Sequence, residues 1–290
     1  MQTKDCFGFK WLQRRAYESP EMKDMTTNWM VEKYLGGNPA LLDEWLSGGR
    51  KIILDAGCGS ALSALCLFGN RLKDHDYLGV DISTSVNVAE TRFREHSIHG
   101  DFLQADLMDI PIPAGSVDMI FCEGVLHHTD DTAAAVDALS KKLKTGGRFL
   151  FYVYAKKAPI REFSDDHVRE QLSAMTDEHA WEALKPLTTL GIELGRLEQT
   201  ITIAEDIPLL GIQKGEYGLQ RFFYWHICKM YYRPEFSFDA MHLINFDWFR
   251  PLNCHRHSEE EVRDMCSKAG LTIETLHTQP SGYTVIALKD

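Results

Sequence analysis

The sequence predicts an α/β protein built on a parallel sheet with helices on both faces, and three observations carry that prediction. Residues 51–155 alternate between short apolar runs and segments of helical period. A glycine-rich turn, Asp55-Ala56-Gly57-Cys58-Gly59, directly follows the first apolar run. Acidic residues, Asp81 and Asp106, close the second and third runs, where such a sheet presents the carboxyl ends of its strands.

KIILDAG (51–57) is short and ends in Asp and Gly, as a buried strand feeding a tight turn does. SALSALCLFGNRL (60–72) has an apolar face, and Ser60 stands where a helix cap is wanted. DYLGVDIS (76–83) is the next strand, followed by a helix over 83–100 that opens on Ser and Thr and closes at Gly100. DFLQADL (101–107) and SVDMIFCEG (116–124) are strands, and 131–144 is an Ala- and Leu-rich helix stopped by Gly146-Gly147. RFLFYVYA (148–155) is a fifth strand.

Beyond 156 the pattern changes. Residues 164–207 read as helix broken at Pro186 and Gly191, and 215–250 as helix up to Pro234. SEEEVRDMCSKAG (258–270) has a serine cap, an acidic first turn and a glycine stop. Residues 271–290 form two strands across a Pro-Ser-Gly turn. Two helices, 21–35 and 39–46, precede the sheet. The domains expected are a helical lead-in (1–48), an α/β core (49–155 and 258–290) and a large, mainly helical insertion (156–257).

The 290 residues carry 31 Lys and Arg against 42 Asp and Glu, a formal charge of −11. That balance disfavours nucleic acid, whose phosphates attract basic surfaces. A hydrophobic fraction of 44% supports a buried core and excludes a disordered chain. The seven cysteines are scattered without a CxxC pair, the pattern of free thiols in a reducing compartment. No run reaches the ~20 apolar residues of a spanning helix, and the first residues lack a signal-peptide core. A cytoplasmic protein without a membrane partner is expected.

The glycine turn lets a backbone approach a ligand, and the helix after it points its N-terminus there. Asp81 at a strand tip suits both hydroxyls of a ribose, or else caps the next helix locally. Asp106 suits an adenine amino group, or is a loop residue. For a dinucleotide the third glycine of G-x-G-x-x-G is missing, since Leu62 stands there, and Asp55 would repel a pyrophosphate. The same carboxylate suits the ammonium of a methionine moiety, which points to S-adenosylmethionine.

LDAGCGSA, GVDIS, QADLMDIPIPAGSVDMIFCEGVLHHTDD and LKTGGRFLFYVYA resemble, in order and spacing, the motifs of class I SAM-dependent methyltransferases. The nearest flavour is the subgroup that includes ubiquinone- and menaquinone-biosynthesis enzymes. The resemblance implies a Rossmann-like, seven-stranded sheet in the order 3-2-1-4-5-7-6, with the insertion after strand 5 as a cap. It also implies that Asp55, Gly57 and Gly59 flank the methionine portion and that Asp81 takes the ribose, with Cys58 and Ile82 beside them as further cofactor-binding residues. Asp106 and Leu107 take the adenine, and Glu123 and Gly124, after Cys122, the amino group. S-adenosylhomocysteine is then the product, and no metal is expected, because the sulfonium is already activated.

His127, His128, Tyr152 and Tyr154 are the catalytic candidates. A histidine suits a general base at neutral pH, while LHH after this strand also resembles a structural, adenine-lining element. Of 31 aromatic residues, 12 fall between Tyr217 and Phe249. They suit a dry pocket, a helical core or a dimer interface. Lys156, Arg161, Tyr217, Arg221, Tyr224, Asn245, Trp248 and Arg250 are the substrate-binding candidates, with an anionic small molecule in view; salt bridges to Glu162, Asp165 and Asp166 are the alternative for the basic ones. Cys254-His255-Arg256-His257, with His226, Cys228 and His242, lacks zinc-ligand spacing. RNA methylation, with Lys10–Arg15 as local basic support, and non-catalytic SAM or SAH binding are the alternative functions.

Overall fold

Alternating burial along the strands places helices on both sides of one sheet. In β1 (Ile52–Ala56), Leu54 and Ala56 join one apolar cluster while Ile53 joins another. The computed structural model describes residues 20–290. It divides the chain into two units, one of Lys23–Ala155 with His255–Asp290 and one holding Lys156–Cys254.

The first unit carries β1, β2 (Asp76–Asp81), β3 (Asp101–Gln104), β4 (Val117–Cys122), β5 (Leu143–Tyr154) and a closing pair, β8 (Leu271–Gln279) and β9 (Gly282–Lys289). Their order is β3-β2-β1-β4-β5-β9-β8. Strands β1 to β5 pair in parallel, Asp55 beside Gly79 and Phe121; β9 lies antiparallel to β5, with Phe149 opposite Ala287. With two further strands, β6 and β7, falling in the insertion, this is the expected 3-2-1-4-5-7-6 order.

One face packs on α5 (Thr132–Ser140) and α10 (Glu259–Lys268) through Val136, Leu139, Val262 and Met265. The other packs on α1 (Pro20–Leu35), α2 (Ala40–Trp45), α3 (Leu62–Phe68) and α4 (Val86–Glu95) through Met30, Leu42, Phe68 and Phe93. Ser258 and Glu261 make a reciprocal capping box at the start of α10.

Several boundaries differ from expectation. Ser60 does not cap α3: Ala61 precedes the helix in a left-handed conformation, and Ser60 takes the buried Arg92 guanidinium on both its carbonyl and its hydroxyl. Helix α4 ends at Glu95, before Gly100. Gly146-Gly147 does not stop α5, which ends at Ser140; the pair lies in the irregular start of β5, where the β4 register jumps from Leu143 to Arg148.

The Lys156–Cys254 unit holds α6 (Pro159–Ser173), α7 (Asp177–Arg196), β6 (Thr200–Ile203), β7 (Gly215–Gly218), α8 (Leu219–His226) and α9 (Phe238–Phe249). Helix α7 runs unbroken through Pro186; the break falls instead before its Thr176 cap. Ala180, Leu184, Thr188 and Ile192, spaced by four, bury one face of α7 on both sides of the proline. His242 and Asn245 of α9 hydrogen-bond Thr188 at 2.8 and 3.0 Å and hold the register that the proline weakens. Gly191 is a close-approach residue, because a Cβ there would lie 2.9 Å from Met230. The unit is not all helical: β6 and β7 pair antiparallel, Ile201 opposite Tyr217. Residues 215–218, expected as helix, are strand.

Candidate functional site

The turn after β1 is tied to the end of β2 by main-chain bonds. Gly57 and Cys58 N–H donate to the Val80 carbonyl at 2.7 and 2.9 Å, and Gly59 N–H donates to Asp81 Oδ2 at 2.9 Å. Gly57 has φ +80°, and a Cβ on it would sit 2.4 Å from Val125. Asp81 Oδ1 accepts from the Ser83 amide and hydroxyl at 2.8 and 2.6 Å. The carboxylate thus caps the loop locally, and Oδ2 takes a single described donor.

Asp55, at the end of β1, is 3% exposed and accepts the Tyr77 hydroxyl at 2.5 Å. Burial pushes its carboxyl up to about 7, against the pull of the Tyr77 bond. Burial also raises the Cys58 and Cys122 thiols well above their ordinary range, so neither supplies a thiolate at neutral pH. Beside Asp81, Ile82 exposes its apolar side chain, while its carbonyl accepts from Gln104 Nε2 at 2.9 Å. Asp106 is exposed and accepts the Met108 amide at 2.9 Å; Leu107 next to it is buried. The cofactor candidates therefore share the carboxyl ends of β1 to β4.

A second cluster meets Glu123, just past β4. Lys33 Nζ donates to Glu123 Oε1 at 2.7 Å and the Tyr34 hydroxyl to Oε2 at 2.5 Å. The Lys33 ammonium lies 3.7 Å from the centres of both the Trp29 and Tyr152 rings. Burial lowers it to about 8 even though Glu123 acts the other way. Sequence reasoning missed Trp29, Lys33 and Tyr34. The i, i+4 pair Trp29–Lys33 was visible on a predicted helix, but nothing in the sequence says which strand end that helix meets.

The four catalytic candidates come together. His127 stacks on Tyr154 with ring centres 3.6 Å apart, lies 4.3 Å from His128 and meets Tyr152 edge-on at 6.3 Å. It is fully buried, and neither ring nitrogen finds a partner among the described residues. Burial first, then the charges of His128, His257 and Lys33, lowers it well below its ordinary value, so it is neutral at pH 7. His255 N–H donates to the His127 carbonyl and His257 N–H to that of Tyr154, both at 2.8 Å. These histidines strap the strand ends, with ring nitrogens 3.0 Å from the Thr129 carbonyl and 3.2 Å from the Thr132 hydroxyl. Among the described residues no group of three or more His, Cys, Asp or Glu is placed to hold a metal ion.

The substrate candidates separate within the Lys156–Cys254 unit. Arg161, Tyr224 and Trp248 gather: the Arg161 guanidinium lies 4.7 Å from the Tyr224 ring centre and 5.3 Å from that of Trp248. Arg221 reaches the other contact of Tyr224, at 5.3 Å. Asn245 is scaffold, accepting the Tyr231 amide at 2.9 Å and donating to Thr188. Arg250 is buried and pairs with Asp177 at 2.7 Å. Tyr217 bonds the Gln213 carbonyl from β7, and Lys156 is exposed. Lys10–Arg15 lie outside the described residues.

A family model described as a methyltransferase domain matches residues 54–151, which hold the cofactor candidates at the ends of β1 to β4. This stretch belongs to the methyltransferase domain family. The matched residues include the glycine turn, the acidic strand tips Asp81 and Asp106, and His127 with His128. An uncharacterised methyltransferase of Mycobacterium tuberculosis is 36% identical over 110 residues, which cover 37% of this chain and 53% of that protein. A ubiquinone biosynthesis O-methyltransferase of Marinobacter nauticus is 30% identical over 110 residues, 37% of this chain and 45% of that protein. An uncharacterised Synechococcus protein is 35% identical over 122 residues, 40% of this chain and 29% of its own. The chain thus spans between about a third and a half of the curated relatives it matches. The SAH-bound magnesium protoporphyrin IX methyltransferase of Synechocystis has the same fold at 16% identity and a TM-score of 0.53, with 99% of this chain and 97% of that one covered. No described helix is long and apolar enough to cross a membrane.

Proposed function

We propose that the chain is an S-adenosylmethionine-dependent methyltransferase acting on a small-molecule acceptor. The observation that carries this reading is the Gly57–Gly59 turn bonded to Asp81 inside a methyltransferase domain, with Asp55 buried at its root. S-adenosylmethionine, when bound, supplies a methyl group on a sulfonium, a leaving group that needs no metal. Asp55 would hold the ammonium of its methionine part, an attraction strengthened by burial. Asp81 Oδ2 would accept from the ribose, while Ile82 and Leu107 flank the adenine and Asp106 accepts from its amino group. Glu123 and Gly124 close the methionine end.

The protein's part in the transfer is positioning and exclusion of water. The acceptor atom forms a bond to the methyl carbon as the carbon–sulfur bond breaks, and any acceptor proton passes to a base. Neutral His127 has one unprotonated ring nitrogen able to take a proton, and Lys33, near 8, is partly neutral at mildly alkaline pH. A small-molecule acceptor is favoured by the acidic balance of the chain and by relatives named for ubiquinone biosynthesis. Calorimetry with S-adenosylmethionine and S-adenosylhomocysteine, followed by acceptor screening for homocysteine-product release, tests the reading. Micromolar binding of both, weakened in Asp81→Ala, is expected; absence of binding to either overturns it.

A further inference from the structure

The Lys156–Cys254 unit gathers four cationic side chains around one indole, Arg161 and Lys229 buried, Lys157 and Arg169 half-buried. Trp248 lies 4.7 Å from Lys229 Nζ, 4.9 Å from the Arg169 guanidinium, 5.3 Å from that of Arg161 and 5.8 Å from Lys157 Nζ. Arg161 and Arg169 share one stripe of α6 with Asp165 between them, at i, i+4 and i+8. Trp248 comes from α9, while Lys157 precedes α6 and Lys229 follows α8, so three parts of the unit deliver positive charge to the same indole.

Asp165 is the carboxylate at the centre, and its bonds are taken. It accepts Trp248 Nε1 at 2.8 Å and Arg161 Nε at 3.1 Å on one oxygen, and the Lys229 amide at 2.9 Å on the other. Asp166 takes Arg169 Nη1, and Glu162 takes the Lys157 amide and favours the charge of that lysine. Asp247 and, more weakly, Asp165 support the charge of Lys229. Arg161 is 1% exposed, yet among the described residues its Nη1 has no acceptor, and neither does the buried Nη2 of Arg169. A buried guanidinium N–H without an acceptor is rare in folded proteins and marks a place where a partner belongs. Burial first, with the Arg161 charge contributing, lowers Lys157 and Lys229 to about 7. An added negative charge would favour their protonated forms.

We infer that Arg161, Arg169 and Lys229, with Trp248 beneath them, form an oxyanion subsite for the carboxylate or phosphate of a small molecule. The guanidinium forks supply the planar, paired donors that such oxygens accept, and Tyr224 and Trp225 give the rest of the ligand flat apolar surfaces. The subsite lies within the inserted unit and does not depend on the methyl-donor reading.

The test is calorimetric titration of the full chain at low chloride, with inorganic phosphate in one arm and benzoate in the other. Saturable binding of at least one probe is expected, weakened tenfold or more in both Arg161→Gln and Arg169→Gln. Phosphate binding alone assigns a phosphoryl group, and benzoate binding alone a carboxylate. Arg161→Lys keeps the charge and removes the fork, so it should lose most of the affinity while guarding against misfolding. S-adenosylhomocysteine titrated into the same samples serves as the control for folding and keeps the two readings apart. No saturable binding of either probe to the unaltered protein, or equal binding to variants that retain S-adenosylhomocysteine affinity, overturns the inference.

Discussion

Replacing Glu123 by Gln removes the charge facing Lys33, and the size of the loss is limited by the lysine itself. Lys33 is held at about 8 against its ordinary 10.5, so keeping it charged already costs roughly 3 kcal/mol. Without Glu123 the ammonium sheds its proton at neutral pH instead of staying stranded. At pH 7 the added cost through Lys33 is then bounded by the interval from 7 to about 8, about 1.4 kcal/mol. Weakened hydrogen bonds to Lys33 and Tyr34 add about 1 kcal/mol. The expected loss is about 2 kcal/mol at pH 7, against roughly 3–5 kcal/mol for a buried charge left unpaired.

The sign with pH follows from linkage. A lysine whose folded value lies below its unfolded one costs stability in full below the folded value, and the cost fades as pH rises towards the unfolded value. In Glu123→Gln that recovery starts at lower pH than in the unaltered protein. The difference between the two proteins should therefore shrink to about 1 kcal/mol at pH 9, where Lys33 is largely neutral in both. Urea unfolding of both proteins at pH 7 and pH 9 measures it. A difference equal at the two pH values, or one of 3–5 kcal/mol at pH 7, would refute the reasoning.

Gly57→Ala should cost about 2–4 kcal/mol, from left-handed strain and the Val125 overlap, and remove S-adenosylhomocysteine binding; a folded variant with unaltered affinity contradicts the turn's assigned role. Since the Asp55 carboxyl titrates at about 7, affinity for S-adenosylhomocysteine should climb towards tenfold per pH unit below that value and flatten above it. Asp55→Asn should bind weakly with no such slope; a slope that survives assigns the proton elsewhere. Asn245→Ala should lower stability by about 2–3 kcal/mol through the lost Tyr231 and Thr188 bonds, read by urea unfolding. It should leave phosphate or benzoate affinity as it was, and a selective loss of that affinity would return Asn245 to the ligand.

Order and spacing along the chain made the sheet and the cofactor turn legible, because both depend on local signals: apolar runs, glycines with positive φ and acids at strand tips. The departures share one cause, tertiary contact overriding a local preference. Pro186 reads as a break, yet α7 continues because Thr188 is clamped from α9. Ser60 reads as a cap, yet its oxygens are taken by Arg92, 32 residues away. Gly191 reads as a stop and is a close contact for Met230. The Lys33–Glu123 pair spans 90 residues and was illegible for the same reason. Asn245 reads as a ligand group because a polar residue in an aromatic stretch needs partners, and its bonds to Tyr231 and Thr188, 14 and 57 residues away, are not visible in the sequence.

The two buried cationic clusters differ in a way that decides which of them calls for a ligand. Burial lowers Lys33, Lys157 and Lys229 alike, as desolvation requires. For Lys33 the next influence is Glu123, which opposes the shift through both charge and a hydrogen bond. That carboxylate also takes Tyr34, so the cluster is closed within the protein. For Lys157 the next influence is the charge of Arg161, which deepens the shift; for Lys229, Asp247 opposes it and Arg161 again deepens it. The first cluster therefore supports α1 against the strand ends by itself. Around Trp248 the cations repel one another, and two guanidinium nitrogens keep donors without acceptors among the described residues. An oxyanion there would relieve both at once, and a conformational change inside the unit that supplied another carboxylate would be the competing remedy.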